Sequence, residues 1–128
     1  MPKNRKYLED INYQDWRKDM KKDKRNKKWK KERKKYGFDS RDTWNLDSTM
    51  AELLYERLKM FNEVNLIDTH YHTIEIDGFE MSMQKAIDEL LKSLKLKLTD
   101  ENLEVAYSNE VRAWTIWLKL IEKGIMWW

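Results

Sequence analysis

Residues 73–95 read TIEIDGFEMSMQKAIDELLKSLK, and this stretch decides the fold. Thr73-Ile74-Glu75-Ile76 alternates polar and apolar side chains, the period of a strand with one buried face. Asp77-Gly78 follows, the dipeptide that suits a type I′ hairpin turn. Phe79 to Met81 then returns as a short second strand. Extended residue types reach back to Leu66, so the hairpin is expected near 66–81. Ser82 is an N-cap residue, and Ala86, Ile87, Leu90, Leu91 and Leu94 recur at helical spacing behind it. The spacing predicts a helix over 83–96. Because an isolated hairpin is marginal in water, it must lean on helices.

Two further helices flank this unit. Thr99 is placed to cap a helix over 100–123, with Asp100 and Glu101 favourable in its first turn. Leu103, Ala106, Tyr107, Ala113, Trp114, Trp117, Leu118 and Ile121 mark its expected buried side, and Gly124 its end. Upstream, Asp47 or Ser48 is expected to cap a helix over 48–64. Its stripe is Met50, Leu54, Leu58 and Phe61, widened by Ala51, Leu53 and Val64. Three glycines and one proline leave little loop punctuation. The expected fold is mainly α with one small β-hairpin, built on three core helices.

The charge is distributed unevenly. Residues 17–35 hold thirteen Lys or Arg against Asp19, Asp23 and Glu32, a net charge of +10. The rest of the chain holds thirteen basic and twenty acidic residues, a net charge of −7. The total of +3 therefore hides a cationic segment on a mildly acidic body. Residues 13–35 contain no Gly or Pro, and their types favour helix. Trp16 and Trp29 fall on different sides of such a helix, so its periodicity is polar nearly all round. The reading is a basic arm over residues 1–35, carrying a projecting helix over 13–35 that Gly37 stops, attached to an aromatic-rich helical domain over 36–128.

Other function classes lack support. At 128 residues the chain has room for one domain, with an appended arm. No apolar run approaches the ~20 residues of a membrane span, and no apolar stretch follows the basic N-terminus as in a secretory signal. The absence of cysteine excludes thiolate chemistry and fits a reducing, cytoplasmic setting. Neither a glycine-rich phosphate loop nor a serine nucleophile elbow is present, so no enzyme and no cofactor are expected. Asp68, His70 and His72 alternate as in the metal-binding opening of amidohydrolase-type barrels, which on a strand would place them on one face. Such barrels need roughly 250 residues to supply the remaining ligands. No further histidine follows, so no metal is expected.

Residues 36–61, YGFDSRDTWNLDSTMAELLYERLKMF, resemble a group of small uncharacterised bacteriophage proteins. In that group a Trp-Asn-Leu-Asp-x-Thr stretch opens a helix carrying Arg-Leu-Lys before an aromatic residue. Trp44, Asn45, Leu46, Asp47 and Thr49 carry the likeness here, and the terminal Met126-Trp127-Trp128 is similar to the same group. The resemblance implies a phage origin, and so a host bacterial cytosol. It implies no activity, and it does not extend to the basic segment.

The expected function is that of a non-enzymatic phage accessory protein that binds nucleic acid or a host nucleoprotein complex, in counter-defence or host takeover. Arg17, Lys18, Lys21, Lys22, Lys24, Arg25, Lys28, Lys31 and Arg33 would neutralise phosphates, while Trp16 and Trp29 stack on bases. Trp44, Asn45, Trp127 and Trp128 are candidates for a recognition surface. The alternative is a protein–protein inhibitor or self-assembling module whose helical body is the effector, and homo-oligomerisation stays open. No membrane partner is expected.

Overall fold

The computed structural model describes residues 5–64 and 72–123. Among the described residues the fold is mainly α, with five helices and one two-stranded antiparallel sheet. In chain order these are α1 (Lys6–Asp10), α2 (Asn26–Tyr36), α3 (Leu46–Val64), β1 (Thr73–Ile76), β2 (Phe79–Ser82), α4 (Met83–Thr99) and α5 (Leu103–Lys123). Two 3-10 turns, Trp16–Met20 and Ser40–Thr43, link the early elements. Among the described residues no helix is long and apolar enough to cross a membrane.

The hairpin follows its sequence. Asp77 and Gly78 both take positive φ, as a type I′ turn requires, and Ile76 pairs with Phe79 across it. Ile74 and Ile76 point into the core while Thr73 and Glu75 face solvent. The Ser82 hydroxyl accepts the Lys85 backbone N–H at 3.1 Å and caps α4. α4 lies between α3 and α5 and is the centre of the molecule. Ile87, Leu90 and Leu94 are fully buried there, against Ile116 and Leu120 of α5 and within one cluster with Tyr55 and Leu58 of α3. Burying each such aliphatic side chain contributes about 1.5–3 kcal/mol. Ala86 and Ala113, also fully buried, add little bulk to the core.

Some details differ from the sequence reading. α3 begins at Leu46, so Asp47 lies in its first turn, where Lys97 donates to it at 3.1 Å. Thr99 ends α4, its hydroxyl donating to the Lys95 carbonyl; Asn102 takes the expected capping role at α5, accepting from the Glu104 N–H at 3.0 Å. Leu46, Met50, Val64, Leu103, Tyr107 and Leu118 are exposed. On α3 the expected Leu58 and Ala51 are buried, and Leu54 and Phe61 pack against the core; Tyr55, which the expected stripe left out, is buried with them. Residues 66–71 of the expected hairpin lie outside the described residues.

The largest correction concerns the basic segment. Residues 13–35 do not form one helix. Asp15 and Asp23 accept the backbone N–H groups of Arg17 and Arg25, at 3.0 and 2.8 Å, in local turns that compete with helix. The Asn26 amide then donates to the carbonyls of Met20 and Lys21, at 3.0 and 2.6 Å, and closes the loop. After the short 3-10 turn Trp16–Met20, an α-helix runs only from Asn26, until Gly37 ends α2 at φ 84°. Nor is residue 35 a break in packing. Leu8 belongs to the main core, and Arg17 is buried against α3.

Candidate functional site

The basic segment divides by residue type. Its three arginines turn to carboxylates of the same chain. Arg17 is buried, donating from Nε to Asp42 at 2.8 Å, from Nη1 to Glu52 and Asp15 at 3.1 Å each, and from Nη2 to the Thr49 hydroxyl at 3.1 Å. Arg33 donates to Asp39 at 2.6 Å. Arg25 is more exposed and grips Asp23 with two N–H groups, at 3.0 and 2.9 Å. Planar guanidinium forks suit such paired contacts.

The partners are themselves held. Asp39 and Asp42 form a reciprocal capping box over the Ser40–Thr43 turn, and Arg41 closes on Asp39 at 2.8 Å. Glu52 also accepts from the Tyr13 hydroxyl and lies 3.6 Å from Arg5, whose Nη2 donates to Glu56. Burial alone would lower the Arg17 guanidinium, but Glu52, Asp42 and Asp15 outweigh it and raise its pKa, so it stays charged.

The tryptophans sit inside this network. Trp29 is 1% exposed. Its ring meets Trp44 edge-on at 5.9 Å and lies 4.3 Å beneath the Arg41 guanidinium. Trp16 stacks on Trp44 at 5.9 Å, with the Arg17 guanidinium 4.6 Å over it. Such contacts add to burial by quadrupole and cation–π attraction. Trp16 and Trp29 are therefore structural anchors, and the expectation that they stack on bases is corrected: freeing them would dismantle the cluster. Trp44 keeps 46% of its surface exposed and is both anchor and surface, with Asn45 exposed beside it.

The lysines behave oppositely. All ten in residues 17–35 are exposed, and among the described residues none has a carboxylate within 4.0 Å. Six of them lie on α2. At 100° per residue, Lys27, Lys28, Lys30, Lys31, Lys34 and Lys35 fill an arc of about 160°, with Trp29, Glu32 and Arg33 on the other side. Lys18, Lys21, Lys22 and Lys24 stand on the loop before it. Lys18 and Lys21 also line a cavity of about 290 Å³, where Arg5, Arg17, Arg33 and Arg41 are opposed by Glu9 and Asp15. This surface can hold anions and attract them from a distance.

Sequence reasoning missed the carboxylates that select which cations stay free. Asp39, Asp42 and Glu52 were legible only as loop and helix residues. One signal was present: Glu52 sits between Ala51 and Tyr55 on the face of α3 that faces the core, where an unpaired carboxylate would be costly. His72 is exposed at the foot of β1, while Asp68, His70, Trp127 and Trp128 lie outside the described residues. Among the described residues no group of three or more His, Cys, Asp or Glu is placed to share a metal ion. No protein-family model matches this chain, and neither does any curated protein or solved structure.

The cluster makes stability sensitive to acid. Burial pushes the Asp39 carboxyl up, but hydrogen bonds from Arg41 and Arg33 win and hold it below its ordinary value. Asp23 is drawn down to about 2 by the Arg25 side chain and backbone N–H. Both groups bind fewer protons folded than unfolded, so their contribution is complete above the ordinary Asp pKa of about 4 and is lost as pH falls through the native values. Denaturant midpoints should hold steady down to about pH 4 and drop between about pH 4 and 2. Asp39→Asn should flatten that drop while lowering the plateau at neutral pH.

Proposed function

We propose that this protein is a non-enzymatic binder of nucleic acid, gripping backbone phosphates with the lysine face of α2 and the loop before it. One observation carries the reading: the arginines of the segment are neutralised within the fold, whereas ten exposed lysines are not. An internal network would have consumed the positive charge if the charge served stability alone. Lysine acts as a point charge on phosphate and lacks the bidentate fork that reads guanine edges, so binding is largely independent of sequence. In keeping with the resemblance to bacteriophage proteins, the target would be nucleic acid or a nucleoprotein complex in the cytosol of a bacterial host.

Salt dependence tests this. If about six phosphates are neutralised, log K should fall against log salt with a slope near −5, roughly a thousandfold loss between 50 and 200 mM. The variant Lys27→Gln, Lys28→Gln, Lys31→Gln, Lys34→Gln should keep its circular dichroism spectrum, because all four side chains are exposed. Its slope should be shallower by about 3–4. Fluorescence anisotropy with labelled single- and double-stranded DNA and RNA measures both. Binding indifferent to salt, or to the four substitutions, would falsify the proposal.

A further inference from the structure

The lysine face of α2 ends beside two half-exposed aromatic rings. Gly37 closes the helix in the left-handed conformation, and Tyr36 and Phe38 on either side of it come together, ring centroids 5.9 Å apart and tilted by 32°. A side chain at residue 37 would strain that turn, so the glycine is what lets the two rings meet. Among the described residues Tyr36 is 55% exposed and Phe38 51%, and neither belongs to the central core. Trp16 and Trp29 differ, since their rings are occupied by Trp44 and by arginines. Two recesses adjoin at the Tyr36–Phe38 pair. One, of about 410 Å³, is lined by Lys28, Lys31, Lys35, Glu32 and Tyr36. The other, of about 260 Å³, runs from Glu32 and Tyr36 past Phe38 to Asp39, Ser40 and Thr43. Both carboxylates there are engaged within the fold. Glu32 accepts the Ser40 backbone N–H at 3.2 Å and its hydroxyl at 2.5 Å, and Asp39 is held by Arg33 and Arg41. Lys35 Nζ lies 5.1 Å over the Tyr36 ring.

We propose that Tyr36 and Phe38 form a stacking platform for an unpaired base, so that the polyanion gripped by α2 is single-stranded nucleic acid. The inference rests on the phosphate reading above and names the class of strand. The chemistry at this end of the helix selects it. A nucleotide joins a flat π face to a phosphate, and here aromatic rings stand beside the ammonium groups of Lys28, Lys31 and Lys35. A duplex presents the same phosphates but keeps its base faces stacked inside, so only the lysines serve it. An acidic peptide presents carboxylates without a flat face beside each charge. The rings stand too close to admit a base between them, because insertion needs about 7 Å, twice the 3.4 Å rise of stacked bases. The base therefore lies on an outer face of the pair, with its phosphate turned to the lysines. Stacking accepts every base, in keeping with lysine contacts that read no sequence.

Anisotropy titrations of the full chain against three probes of equal length test this: oligothymidylate, the same strand with abasic sugars throughout, and a duplex. The parent should bind oligothymidylate more tightly than the abasic strand by on the order of 5- to 100-fold, the contribution of one stacked base. Tyr36→Leu with Phe38→Leu keeps apolar bulk and removes the flat faces. It should lose that preference, while its binding of the abasic strand and its salt slope match those of the parent. Phe38→Trp, which offers a larger ring, should keep the preference or strengthen it. Circular dichroism should be unchanged in both variants, since both side chains are half exposed. Equal parent affinity for the strands with and without bases overturns the platform, as does a preference that survives the double substitution. If the salt slope persists in either case, the phosphate reading stands without it. Displacement of oligothymidylate by polyglutamate as readily as by unlabelled strand also overturns it and assigns the recess to an acidic protein. Absence of salt-dependent binding to every probe removes the phosphate reading and the platform together.

Discussion

Arg17→Met is expected to lower stability by about 3–5 kcal/mol, a large share of the 5–15 kcal/mol that holds a domain of this size together. The loss does not measure the worth of the ion pairs. Removing the guanidinium strands Asp42 and Glu52 in the interior, 5% and 1% exposed, with their main counter-charge gone. Glu52 keeps Tyr13 and the more distant Arg5, so Asp42 loses most. Thermal unfolding should shift down on the order of 10–20 °C. Adding Asp42→Asn and Glu52→Gln should recover part of the shift, because a buried amide is less costly than a buried unpaired carboxylate. At low temperature the folded fraction should bind polyanion almost as the parent does, since Arg17 faces inward. A neutral Arg17→Met variant, or one whose phosphate affinity collapses while folding is intact, would show that Arg17 serves the surface rather than the interior.

The second large effect is expected at Trp29. Trp29→Ala empties a fully buried indole site, a change that typically costs about 3–5 kcal/mol. Here the damage should stay local. α2 meets the rest of the protein mainly through the Ser40–Thr43 turn and the Trp16–Trp29–Trp44 cluster, and it is not part of the central core of α3, α4 and α5. A helix of 11 residues is shorter than the ~12–15 that hold helix alone, and six lysines on one arc repel one another. Without its anchor, α2 should fray. Hydrogen exchange should show protection lost over residues 26–36 and kept over 83–123. Polyanion affinity should fall although no lysine has changed, because the lysine face is no longer preorganised. Uniform loss of protection across α4 and α5 would instead make the tryptophan cluster part of the global core.

The hairpin and α4 were readable because their signals are local. Asp77-Gly78 carries the turn in two residues, and Ser82 carries the cap within one turn of the helix it starts. Where readings failed, a helix had two apolar faces or a polar residue had a distant partner. Periodicity on α5 marked Tyr107 and Leu118 as apolar, which they are, but it cannot say which apolar face a single copy buries. On α3 the stripe through Met50 competed with that through Ala51 and Tyr55. The buried face runs between the two, taking Leu58 from the first and Tyr55 from the second, while the polar Thr49 and Glu52 beside it find Arg17.

What the amino-acid order determined unaided is the helix–hairpin–helix framework and a segment of thirteen cations against three acids, properties of neighbours and of sums. Tertiary structure alone decided which of those cations remain available. Arg17 meets Glu52 across 35 positions and Asp42 across 25. Once Arg17 and Trp29 were drawn inward and Arg25 and Arg33 closed on Asp23 and Asp39, the lysines were left facing water. Opposite charges cancel through proximity in space, and counting them along a chain cannot reveal which ones meet.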